Sequence, residues 1–205
     1  MPKILDGNKQ ILTSGYGTGL TTKQKNAVNI IQTPFIDIGT TWGAGVVGTG
    51  AGNKAYRQTD AITGLIITEV HIDMDGLVVK GTTPGDAIGV LGNPAYVYQN
   101  DVANNGIIFK QEIICTELPA AGTNTITTDI NLAWNSSGTL QMNGLVGTGS
   151  EINTGGLVAG QIVSDETAAI SANHYAYLTE GDNAASNGTY NAGQLIIRFY
   201  GYKVR

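Results

Sequence analysis

The chain has 205 residues, of which 29 are glycine and 13% are charged, against a usual charged share of about 25%; this excludes a highly charged disordered segment and a charged helical bundle. With 11 basic residues against 16 acidic and a formal net charge of -5, it lacks the basic footprint of a nucleic-acid binder. Its single cysteine, Cys115, excludes an intramolecular disulfide framework and any multi-cysteine metal site, so the fold must hold by packing.

The opening MPKILDGNKQ carries no apolar stretch of signal-peptide length and no long apolar run follows, which points to a soluble chain made in a cytoplasm, with no membrane partner. From residue 1 to 63 the chain is rich in Gly, Thr, Asn and Gln with scattered apolar anchors, and no hydrophobic period persists. An extended arm is expected there. Residues 22–32 could form a short helix capped by Thr21 or Thr22. The run 43–52, GAGVVGTGAG, then reads as a mobile linker. Gly43, Gly45 and Gly48 spell a dinucleotide-binding pattern, but that site needs a helix N-terminus after the glycines. Thr49, Gly50, Ala51 and Gly52 will not propagate one.

From residue 64 to 205 the period changes to two, and a β domain is expected. In 66–74 one face reads Ile66, Thr68, Val70, Ile72, Met74 and the other Ile67, Glu69, His71, Asp73, the alternation of a half-buried antiparallel strand. Asp75-Gly76 ends it. Further runs at 87–91, 95–99, 107–117, 126–134, 174–180 and 194–204 are separated by Gly/Pro/Asn/Asp clusters. Ile126, Thr128, Ile130, Leu132 and Trp134 form the clearest apolar stripe, opposite Thr127, Asp129, Asn131 and Ala133, and Trp134 is expected in or at the edge of the core. Long loops are expected between 134 and 174, with a turn of helix at 165–170. In the last run Leu195, Ile197 and Phe199 are expected to face the core, with Ile196, Arg198, Tyr200 and Tyr202 opposite. Together these predict an all-β, antiparallel, jelly-roll-like sandwich with an extended N-terminal arm. An immunoglobulin-like sandwich is the alternative.

Few residues invite chemistry. Glu69, His71 and Asp73 share one strand face and could bind a metal or shuttle protons, against the simpler reading of a solvated polar row. Cys115, on the apolar side of its run, reads as a small buried hydrophobe. The stretch from Asp73 lacks the ligands of a calcium loop. No catalytic residue, metal site or cofactor is expected.

Residues 174–205, HYAYLTEGDNAASNGTYNAGQLIIRFYGYKVR, resemble the ending of small virion proteins of tailed bacteriophages. In these an aromatic strand, a Gly/Asn/Ala hairpin and a final strand closing in an Arg-aromatic-Tyr-Gly-Tyr pattern finish a jelly-roll-like domain; the run 65–134 is compatible with it. The resemblance implies a non-enzymatic capsid decoration (cement) protein on the capsid exterior, often a homotrimer, whose partners are the major capsid protein and itself. The arm suits such docking. It is too poor in apolar residues to fold alone yet carries anchors such as Tyr16, Ile30, Ile31, Phe35, Ile36, Ile38 and Trp42, so it could order on a partner; Tyr16, Phe35, Ile36, Ile38 and Trp42 are the expected contacts. Alternatively the arm packs back on its own sandwich as extra edge strands. A receptor- or glycan-binding module of a phage head or tail fibre would share the sandwich and its exposed tyrosines. A cupin-like enzyme would need more than two histidines.

Overall fold

The computed structural model describes residues 35–50, 52–80, 83–146, 152–166, 170–181 and 187–203. The helix expected over 22–32 and the anchors Tyr16, Ile30 and Ile31 lie outside them.

Ten strands occur among the described residues: β1 Ile36–Asp37, β2 Lys54–Thr59, β3 Leu65–Asp73, β4 Val78–Val79, β5 Tyr96–Gln99, β6 Ile107–Thr123, β7 Ile130–Asn135, β8 Ile162–Glu166, β9 Tyr175–Glu180 and β10 Gly188–Tyr202. A single-turn helix, α1 (Val102–Asn105), leads into β6. All strand pairs are antiparallel. One sheet has the order β1-β2-β3-β10-β6-β8 with β4 also beside β10; the other has β5-β9-β7, extended by an antiparallel bridge from Leu132 to Ile152. Thus β3-β10-β6-β8 stands against β5-β9-β7 and the Ile152 segment, and the chain crosses between sheets at nearly every step. This interleaving is that of a jelly roll, and it excludes the immunoglobulin-like order.

The period-two readings of β3 and β10 hold because one face of each is buried. Ile66, Thr68, Val70, Ile72 and Met74 are buried, as are Leu195, Ile197 and Phe199, and Cys115 joins the same core. Phe199 stacks on Tyr98 of β5 at 4.9 Å and tilts against Trp134 of β7 at 5.3 Å, tying the two sheets together. Buried Trp134 donates its indole N–H to Gln111 of β6 at 2.9 Å. Its polar atom is thereby satisfied inside the core.

Several expectations are corrected. The boundary at residue 64 fails for the described part of the arm. β2 pairs with β3 from Lys54–His71 to Thr59–Ile66, and β1 pairs with β2 through Ile36–Arg57 and Asp37–Tyr56. These strands are too short and polar to show a period, and they extend the sandwich's own sheet. The glycine run 43–52 is not a free linker in its described part. Val46 is buried, and Gly43 and Gly45 donate their N–H groups to the carbonyls of Tyr96 and Pro94, both at 2.8 Å. A Cβ on Gly45 would stand 2.5 Å from the Asn93 carbonyl oxygen, so glycine is there to allow close backbone approach. The helical turn at 165–170 is excluded at its start, because β8 runs through Glu166 paired with Lys110 of β6; non-local pairing overrides local propensity. Run 87–91 makes isolated bridges, Ala87 with Thr179 and Gly89 with Val78. The polar face expected of β7 is buried, because Thr154 donates its N–H to Asn131 Oδ1 at 3.0 Å and the 152–157 segment covers that edge.

Candidate interaction face

On the outer side of the larger sheet, register decides which side chains meet. Glu69 of β3, Arg198 of β10 and Glu112 of β6 lie abreast in one row, flanked by Tyr56 of β2 and Ser164 of β8. The next row holds Lys54, His71, Ile196, Ile114 and Ile162; the row on the other side holds Gln58, Ile67, Tyr200, Lys110 and Glu166. Side chains directly opposite on adjacent strands are close enough to interact.

Arg198 is the hub. Its Nε and Nη2 donate to Glu69 Oε1 at 2.8 and 2.5 Å, and its Nη1 donates to Glu112 Oε2 at 3.3 Å. Tyr200 donates its hydroxyl to the same Glu112 oxygen at 2.8 Å. Lys110 Nζ lies 2.7 Å from Glu112 Oε1 and 5.0 Å from the centre of the Tyr200 ring. Burial alone would raise the Glu112 carboxyl, but the hydrogen bonds from Lys110 and Tyr200 and the charges of Lys110 and Arg198 outweigh it and hold it below the usual carboxylate range. Burial raises the Tyr200 hydroxyl above its ordinary value. The charges compensate: Glu69 and Glu112 stand against Arg198 and Lys110.

Around this row isoleucines and tyrosines stand among Lys54, His71, Gln58, Lys110 and Glu166. Ile67, Ile114 and Ile196 are half-buried, Ile162 is 59% exposed and Tyr202 51% exposed. Phe109 stacks on Tyr202 with ring centres 4.7 Å apart. Isoleucine and tyrosine side chains thus share this face with a charge-compensated arginine row, and aromatic residues and arginine are among the types enriched at protein contacts.

The row Glu69, His71, Asp73 is divided among different partners. Glu69 goes to Arg198, and His71 Nε2 stands 3.5 Å from Glu69 Oε2 with its ring edge-on to Tyr56. Asp73 accepts the N–H of Asp75 at 3.1 Å, at the strand's end. Among the described residues no three His, Cys, Asp or Glu side chains are grouped to hold a metal, and no helix is long and apolar enough to cross a membrane.

The described members of the expected contact set differ in exposure. Phe35 and Ile36 are exposed on the β1 rim, Ile38 is half-buried with its N–H bonded to the Ala55 carbonyl at 3.0 Å, and Trp42 packs against the core. Tyr16 lies outside the described residues. Glu112, Lys110 and Arg198 were missed as a cluster. Their types and the strand alternation are visible locally, but which strands pair is not. Compared with models of known families, with curated proteins and with solved structures, the chain matches none.

Proposed function

We propose that the chain is a non-enzymatic virion structural protein that decorates and stabilises a phage capsid shell. Its partners on this reading are the major capsid protein and further copies of itself, a trimer being favoured, and its place is the capsid exterior. The observation that supports the reading is the outer face of the larger sheet: a charge-compensated row at its centre, with exposed Ile162 and Tyr202 at two of its margins. A flexible acid–base constellation would need open valences, whereas here Glu112 is engaged by Lys110, Tyr200 and Arg198 together. Such a rigid face suits a broad protein–protein contact. The residues that resemble phage virion proteins include β9 and β10, and β10 supplies Arg198, Tyr200 and Tyr202 to this face.

The test is co-sedimentation of the purified chain with empty shells assembled from a tailed-phage major capsid protein. Saturable, stoichiometric pelleting supports decoration, and a chain that stays in the supernatant at micromolar concentration contradicts it. Light scattering reads self-association separately: a mass near three times 21.4 kDa supports the trimer.

A further inference from the structure

The larger sheet begins on β1 and ends on β8. Among the described residues nothing pairs with the outer edge of β8. The backbone N–H and C=O groups of such an edge are a template for a further strand. Ile162–Glu166 holds no proline or lysine to block it, and four of its five residues are exposed. Its charged residues, Asp165 and Glu166, are both acidic. Glu166 lies opposite Lys110 of β6, but the Lys110 ammonium is bonded to Glu112 at 2.7 Å. A strand added to this edge should therefore bring a cation.

The chain itself contains such a segment. Residues 1–34, which lie outside the described residues, carry Lys3, Lys9, Lys23 and Lys25 against the single acid Asp6. Their formal charge of +3 leaves -8 on residues 35–205, a division of sign that favours contact between the two parts. Set antiparallel to β8 with Lys25 opposite Glu166, the segment brings Asn26 opposite Asp165, Ala27 opposite Ser164 and Val28 opposite Val163. Val163 already packs against the core, so valine meets valine on the inner side and lysine meets carboxylate on the outer. The helix that the sequence allows over 22–32 gives way to edge pairing, as the turn expected from 165 does where β8 pairs with β6.

In this register the segment cannot reach the β8 of its own copy. Ile36 lies in line with Asp165 through Arg57, Thr68, Phe199 and Gln111, five strand spacings away. The added strand would stand one spacing further, about 29 Å from β1. Residues 29 to 36 span at most roughly 25 Å when fully extended. We propose that residues 25–29 of one copy add a strand to the β8 edge of a neighbouring copy, a head-to-tail contact that each copy both gives and receives. Such contacts close into a ring when the rotation between copies permits, as a trimer requires. The inference rests on the self-association part of the proposed function and gives it a mechanism.

The test is disulfide trapping in the full chain carrying Ala27→Cys and Ser164→Cys together, with buried Cys115 as the remaining cysteine. Under mild oxidation, non-reducing electrophoresis should show covalent dimers and trimers that reductant dissolves. Ala27→Cys paired with Thr63→Cys, on the exposed turn before β3, should stay monomeric. Added to the trapping pair, Lys25→Glu and Glu166→Lys should each cut the yield about threefold or more, and the two together should restore it. Circular dichroism confirms that each variant is folded. No trapping, an intrachain disulfide at monomer mass, equal trapping by the Thr63 pair, or yields indifferent to both charge reversals would overturn the proposal. Dimers formed as readily by Ser164→Cys alone would overturn it in favour of β8 pairing with β8. A wild type that light scattering shows as an oligomer, with no trapping in the variant, loses this inference and keeps self-association; a wild type that stays at 21.4 kDa loses both. Trapping without shell pelleting keeps the arm contact and loses decoration.

Discussion

Arg198 and Glu69 face each other across β10 and β3, and one carboxylate oxygen of Glu69 accepts from both Nε and Nη2 of the guanidinium at 2.8 and 2.5 Å. The same guanidinium reaches Glu112 on its other side. A single arginine therefore ties three adjacent strands together on the outer face.

Replacing Arg198 by Met keeps the stem's packing and leaves both carboxylates without it. The side chain is 28% exposed, so the cost is set below that of a fully buried pair, at about 1–2 kcal/mol. Urea unfolding should show that loss, with less in Arg198→Lys. A stability of Arg198→Met equal to wild type would mean that the network contributes nothing measurable.

Acid should weaken the same network through Glu112. Its folded carboxyl is held below the unfolded value of about 4.3, so its contribution is complete above that pH and is lost as pH falls through the folded value. The stability gap between wild type and Glu112→Gln should narrow below about pH 4.3. A gap constant from about pH 6 to pH 3 would contradict it.

At the other end of the scale, burial pushes the Tyr177 hydroxyl up to about 12, and Tyr190 is raised for the same first reason. Tyr177 donates to the Ser137 carbonyl at 2.6 Å. A phenol whose folded value lies above the unfolded value of about 10 stabilises fully below pH 10, and loses that effect as pH rises through its folded value. The advantage of wild type over Tyr177→Phe should therefore shrink between about pH 10 and pH 12. An unchanged difference across that window would count against the buried, proton-bearing phenol.

Gly45→Ala puts a methyl group 2.5 Å from the Asn93 carbonyl oxygen and 2.7 Å from that of Pro94. Both are backbone atoms held by the loop before β5, so overpacking should cost roughly 1–3 kcal/mol and lower the melting temperature by about 3–10 °C. A melting curve that does not move would restore the reading of this segment as a loose linker.

What was legible in the sequence follows from where burial is one-sided. β3 and β10 each bury alternate residues, so Ile72 and Ile197 could be placed on the core face from spacing alone. β8 has mostly exposed residues and hence no apolar stripe to read; it exists because β6 offers an edge. β7 misled in the opposite way, since Asn131 looks solvent-facing until the 152–157 segment folds over it. The outer face was half legible. Arg198 and Tyr200 were rightly set opposite the core, but Glu69 lies 129 residues away from Arg198, and only the register of the folded sheet brings them together.

Shell pelleting of a face variant bears most directly on the proposed role. Ile162 and Tyr202 are exposed at opposite margins of the outer face, so Ile162→Asp combined with Tyr202→Asp should leave circular dichroism and melting close to wild type. Co-sedimentation with shells of the major capsid protein should weaken by about tenfold or more, as expected when charge enters an apolar contact. A folded double variant that pellets as well as wild type would contradict docking through this face.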